Sequence, residues 1–219
     1  CVIMGYREKS LHALLLKWRH REAWSLPGGF MELQEELEDA VQRVLFERTG
    51  LKDIFLRQFH TFSSLSRVHD RQKFELGFFK EIYQNLSPET GAKIKEWFSQ
   101  RFITVGFLAL VDANEVNPTP DHLSRACEWV PINDLPELYM DHKAIIEMAM
   151  FHLKIQLNYW PVGKSLLPEK FTMMDLQALY EAILQRSLDR GNFQRKMLKL
   201  NILQRHEKLM TGAANKAPY

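Results

Sequence analysis

The chain predicts an α/β (α+β) mixed-sheet sandwich followed by a smaller helix-turn-helix domain, and three observations carry that prediction. Short apolar runs with strand character alternate with stretches of helical spacing as far as about residue 157, an order that suits helices packed on a sheet. The segment Asn158-Tyr159-Trp160-Pro161-Val162-Gly163 then breaks the pattern with turn residues. Beyond it two helical stripes are joined by a short turn, and the second is rich in Arg and Lys. The expected domains are therefore 1–157 and 158–219.

In chain order, Val2 to Gly5 and Leu11 to Trp18 are apolar runs separated by the charged turn Tyr6 to Ser10, which reads as a strand pair. Trp24 to Leu26 is a short strand leading into Pro27-Gly28-Gly29, where the glycines are expected to let the backbone turn sharply. Leu37, Ala40, Val41, Val44 and Leu45 recur at helical spacing, and Gly50 ends that helix. Ile54 to Phe62, Phe102 to Asp112 and Glu128 to Ile132 read as strands. Between the first two, residues 69–100 form a helical insertion, longer than a usual connection. Its Phe74, Phe78, Phe79, Ile82 and Tyr83 make one stripe, and Ser87-Pro88-Glu89 starts a second helix ending in Trp97 and Phe98. These aromatics are expected to pack on the sheet or on a second subunit. A further helix covers about Lys143 to Leu157.

In the second domain Thr172-Met-Met-Asp175 resembles a capping box, and Leu176, Leu179, Tyr180, Ile183 and Leu184 form the stripe that follows. Asp189 caps a helix from about Arg190 to Leu200, with Phe193, Met197, Leu198 and Leu200 expected inward and Arg190, Asn192, Arg195, Lys196 and Lys199 outward. Ile202 to Met210 would begin a β-wing.

Composition bounds the partners. Hydrophobic residues make up 46%, enough to fill a core. Only Cys1 and Cys127 are present, so no disulfide framework is expected and a reducing compartment is the default. No apolar run approaches the ~20 residues of a membrane span, which points to a cytoplasmic protein with no membrane partner. The chain opens inside a strand pattern without an initiator Met, so its N-terminus reads as trimmed. Net charge is +2, but residues 186–219 hold eight Lys/Arg against Asp189 and Glu207, a net of +6, and the remainder is −4. A basic end on an acidic body suits a polyanion.

The most specific stretch runs from Gly29 to Leu51. Gly29, Glu35, Arg43, Leu45, Glu47, Gly50 and Leu51 keep the spacing of a Nudix box, which this stretch resembles; Val44 and Arg48 stand where that family places glutamates. Positions 44, 47 and 48 share one helix face. In a Nudix hydrolase that face carries carboxylates for Mg²⁺, and hard cations need several converging oxygens. Glu35 and Glu47 are the residual catalytic candidates, with Glu47 a weak metal ligand. No cofactor is expected to be required, and Mg²⁺ enters only if the residual site is active. Two readings of the substitutions stand side by side: Val44 packs while Arg48 is solvated, or Arg48 supplies positive charge where the family uses metal. The second makes Arg43, Glu47, Arg48 and Arg101 ligand-binding candidates.

A helix, a short turn and a basic helix have the layout of a helix-turn-helix. Arg and Asn read base edges in the major groove while Lys fixes phosphates, so Arg190, Asn192, Arg195, Lys196 and Lys199 are the DNA-binding candidates. The combination, with Pro161-Val-Gly, Leu176-Gln-x-Leu-Tyr-Glu181 and Asp189-Arg-x-Asn-Phe-x-Arg-Lys196, is similar to the Nudix-related transcriptional regulators along nearly the whole chain. That resemblance implies a bacterial homodimer that binds double-stranded operator DNA through a winged helix. It also implies a Nudix domain that senses a small-molecule effector, either a pentose or an ADP-ribose-like nucleotide. The version of the box around Arg43-Val-Leu-x-Glu47 looks more like the sugar-responsive, arabinose branch. Insertion 69–100 interrupts the alignment near Asp70, Arg71 and Arg101. The alternative is a Mg²⁺-dependent Nudix hydrolase of a nucleoside diphosphate derivative such as ADP-ribose. A third reading is a protein-binding scaffold.

Overall fold

The computed structural model describes residues 1–19, 22–52, 54–67, 87–157 and 163–206. Strands β1 (Val2–Arg7) and β2 (Ser10–Trp18) form an antiparallel hairpin. Its turn residues Glu8 and Lys9 both take positive φ, 51° and 60°, the twist that lets a two-residue turn join right-twisted strands. The remaining strands are β3 (Trp24–Ser25), β4 (Phe55–Phe62), β5 (Thr104–Val111) and β6 (Ser124–Pro131). Their order is β3-β2-β1-β5-β4, with β6 also paired to β2. β1 and β5 run parallel and the other pairs antiparallel, so the sheet is mixed.

The apolar strand runs are explained by burial on both faces. Alternate residues of one strand point to opposite sides. Ile3, Leu14, Leu16, Ala109 and Val111 meet Leu45 of α1 (Leu37–Thr49) on one face. Val2, Met4, Ala13, Leu15, Leu108 and Leu110 lie on the other. There they join Ile145, Ile146, Ala149 and Leu153 of α3 (His142–Gln156). α2 (Pro88–Ser99) precedes α3, and Ser87 caps it by accepting from the Thr90 N–H at 3.2 Å.

α4 (Gly163–Leu166), α5 (Met173–Leu184) and α6 (Arg190–Lys199) complete the described chain. Both expected caps form: Thr172 and Asp175 make a reciprocal capping box, and Asp189 accepts from the Asn192 N–H at 2.8 Å. Gln177 and Glu181, one turn apart on α5, grip the turn before α6. Glu181 accepts from the Leu188 N–H at 2.8 Å, and the Gln177 side chain donates to the Leu188 carbonyl at 2.9 Å. Leu176, Leu179 and Ile183 of α5 and Phe193 and Met197 of α6 belong to the same buried cluster as the sheet and α3. The helical unit thus shares the core of the sheet.

Three expectations change. Only Phe193 and Met197 of the inward face are buried; Leu198 and Leu200 are 48% and 42% exposed, because α6 touches the body along one narrow stripe. Gly28 and Gly29 take no positive φ, so they do not make the sharp turn expected of them. Residues 202–206 carry no strand. The Phe74 to Tyr83 stripe, Asp70, Arg71, the 158–162 boundary and the rest of the proposed wing lie outside the described residues.

Candidate functional site

The box loop and α1 are locked together by close packing. A Cβ on Gly29 would meet Val44 Cγ2 at 2.7 Å, so this glycine is required by proximity. Val44 is 6% exposed and belongs to the interior. Gly50 ends α1 with φ 73° and donates to the Phe46 carbonyl at 2.8 Å. A returning loop satisfies further carbonyls of that end: the Thr119 N–H donates to the Arg48 carbonyl at 3.1 Å.

The polar side chains form a chain of alternating charge. Arg43 grips Glu35 with Nε and Nη2, each donating at 2.8 Å, and Nη2 also reaches the Phe30 carbonyl at 3.0 Å. Glu35 accepts in addition from the Glu32 N–H at 3.1 Å. Chiefly through the Arg43 hydrogen bonds its carboxyl is held down at about 2. Glu47 lies between Arg43 Nη1 at 3.6 Å and Arg48 Nη2 at 3.2 Å.

Arg48 corrects one of the two readings of the box. Its side chain is only 11% exposed, and its Nε is buried with no partner among the described residues. It is therefore not a solvated arginine. Cys127, buried nearby, has its thiol pushed up to about 12, chiefly by burial, and is not a nucleophile.

This donor set does not fit a metal ion. Glu35 spends both oxygens on Arg43, Glu47 faces two guanidiniums, and Val44 offers no oxygen. Among the described residues no three His, Cys, Asp or Glu side chains cluster as a cation would need. Glu35 and Glu47, the residual catalytic candidates, with Glu47 also the weak metal candidate, are both engaged by guanidiniums in this structure. Arg101 is exposed just before β5 and makes no ion pair with a described residue.

A feature that sequence reasoning missed lies beside the box loop. Phe30 packs edge-on against Trp97 of α2, centroids 4.7 Å apart, and both approach Phe102, at 5.6 and 4.9 Å. Phe30 and Trp97 remain 53% and 46% exposed. Trp97 thus packs on the box loop. The signal available was three aromatics flanking the box and the insertion, but only the fold brings them together.

At the far end α6 exposes Arg190, Asn192, Arg195, Lys196 and Lys199. Asn192 Oδ1 accepts from Arg195 Nη2 one turn later. At ~1.5 Å per residue the stretch from Asn192 to Lys199 spans ~10 Å, comparable to the width of a major groove.

The chain belongs to the Nudix family: the NUDIX domain model matches residues 1–149, and the model of the NrtR DNA-binding winged helix domain matches residues 163–219. A Nudix domain joined to a DNA-binding winged helix makes it a Nudix-type transcriptional regulator. It is similar, at 25% identity over 209 residues, to the "ADPR responsive transcriptional repressor NtrR" of Acinetobacter baylyi, across 92% of this chain and 72% of that protein. In fold it resembles Shewanella oneidensis NrtR crystallised with a 27mer DNA, with a TM-score of 0.73 at 23% identity, covering 100% of this chain and 90% of that one. An RNA pyrophosphohydrolase of Bartonella henselae is 29% identical over 131 residues, 58% of this chain and 67% of the enzyme.

Proposed function

We propose that the Nudix domain, residues 1–157, binds an ADP-ribose-type nucleotide as an effector, without a metal ion and without hydrolysing it. The winged helix, residues 158–219, reads a two-fold operator as part of a homodimer. The observation that carries this reading is the neutralised box: Glu35 and Glu47 are paired to Arg43 and Arg48 where a hydrolase needs free carboxylates. Glu47 is the exposed member of the chain, at 42%. A diphosphate can displace it and take over the guanidinium donors, whose planar N–H pairs match phosphate oxygens. The exposed faces of Phe30 and Trp97 suit a base or sugar ring. Arg101 supplies positive potential at long range. The name of the Acinetobacter relative supports ADP-ribose over a free pentose, which offers no charge to either arginine.

In the test, the full-length protein is titrated onto labelled DNA from upstream of its own operon by fluorescence anisotropy, with ADP-ribose or arabinose, and with Mg²⁺ or EDTA. ADP-ribose is expected to change the DNA affinity equally in Mg²⁺ and in EDTA, and binding is expected to weaken steeply with salt. Turnover of ADP-ribose that depends on Mg²⁺ or Mn²⁺ and is lost in Glu47→Gln would establish the hydrolase instead.

A further inference from the structure

Helix α3 is apolar on two sides. Ile145, Ile146, Ala149 and Leu153 face the sheet and are buried. Away from the sheet Ala144, Met148, Phe151 and Ile155 recur at spacings of three and four residues and so share a second face. Met148 is half-buried, whereas Phe151 and Ile155 are 57% and 45% exposed. A surface helix normally turns polar residues outward, and an apolar stripe left in water marks a contact with another protein.

From the charges that edge this stripe we infer that α3 packs antiparallel against the α3 of a second copy, forming the seam of the homodimer. The inference rests on the homodimer reading and gives it an interface. Glu147 and Lys154 stand seven residues apart, so at ~100° per residue they point almost the same way and lie on one flank of the stripe. The point midway between them falls between Met150 and Phe151. A two-fold axis crossing the helices there sets each Glu147 at the height of the partner's Lys154, on the same flank, and brings the two Phe151 rings together at the centre. Glu147 forms no ion pair with a described residue, and Lys154 donates to a neutral amide, Gln185 Oε1, at 2.9 Å. Both are thus open to a partner's charge. Both also edge a cavity of about 490 Å³ whose apolar lining includes Ile132, Leu135, Ile146 and Met150, surface that a second helix would help to cover. A patch that meets itself must carry both signs at positions exchanged by the axis, which an unrelated partner does not require.

Sedimentation velocity of the full-length protein over a range of concentrations, without DNA or nucleotide, reads the equilibrium between monomer and dimer. The wild type is expected to dimerise. Phe151→Glu sets two like charges at the axis and should raise the dissociation constant at least ~100-fold. Glu147→Lys should weaken dimerisation about tenfold, and adding Lys154→Glu should restore it to within about threefold, since the exchanged pair re-forms with its signs reversed. That rescue is not available to a variant that merely damages the fold, and it decides the matter should Phe151→Glu fail to fold. A dimer indifferent to Phe151→Glu, or one that the exchanged pair does not rescue, overturns this interface while the homodimer reading stands. A monomer at every concentration overturns both and leaves the face to a different protein.

Discussion

Replacing Gly29 and Val44 by alanine, singly and together, asks whether Val44 has become packing where relatives place a ligand. In Gly29→Ala the new methyl lies 2.7 Å from Val44 Cγ2, closer than carbon atoms approach without strain. Overpacking of this kind costs ~1–3 kcal/mol. Gly29 has no positive φ, so the lost glycine freedom returns ~0.4–1 kcal/mol through the unfolded chain. The single variant should then be destabilised by ~0.5–2 kcal/mol. Val44→Ala removes two buried methyls, worth ~1.5–3 kcal/mol with the cavity included. In the double variant the methyl added at position 29 enters the space that Cγ2 vacated. The double loss should fall short of the sum by ~1–2.5 kcal/mol. Urea unfolding of the four proteins, followed by circular dichroism with the slope checked for constancy, measures this coupling. Additivity within ~0.5 kcal/mol refutes the reasoning, since the two side chains would then not meet.

Two further outcomes follow from α6 and α3. Arg195→Ala should lower operator affinity by ~10- to 100-fold and relax specificity, whereas Lys199→Ala should weaken all sequences alike and reduce the salt slope by ~1. Operator binding unchanged after loss of both Asn192 and Arg195 would favour a scaffold. His142 accepts from the Leu26 N–H at 3.0 Å and has its pKa lowered to about 3, chiefly by burial. Between that value and the ordinary 6.5 the unfolded state binds the extra proton, so stability is complete above pH 6.5 and falls as the pH drops towards 3. A single group bounds the slope at ~1.4 kcal/mol per pH unit. His142→Gln, which keeps an acceptor, should flatten the stability profile in that window.

What the sequence disclosed was local chemistry. Ser87, Thr172 and Asp189 announced their helices because a capping side chain bonds a backbone N–H three residues on. The box kept its frame because Gly29, Val44 and Gly50 are constrained by contacts within one short segment. The state of Arg48 was hidden, since its burial depends on the loop around Thr119 returning across the end of α1. The pairing of Phe30 with Trp97 was hidden for the same reason, as was the exposure of Leu198 and Leu200. An apolar residue on a helical stripe reads as inward until the width of the contact is known.

The shared core limits how an effector signal can reach DNA. Leu176, Leu179 and Ile183 of α5 lie in the cluster that also holds β2, β5 and α3. Exposing them by undocking the helical unit costs ~1.5–3 kcal/mol each, or ~4.5–9 kcal/mol together. Coupling between two sites is typically ~1–3 kcal/mol. A ligand on the box therefore lacks the energy to release the winged helix as a free domain. What it can alter is the polar clasp at the edge of that contact. There Gln185, held at φ 55° at the end of α5, donates to Asn133 Oδ1 at 2.8 Å and accepts from Lys154 Nζ at 2.9 Å. Those two hydrogen bonds are exposed and worth ~0.5–1.5 kcal/mol each, within reach of the coupling energy, and Gln185 begins the turn that aims α6. If the proposed two-fold dimer forms, a small rotation of α6 against an intact core would change the spacing of the two helices that meet the operator.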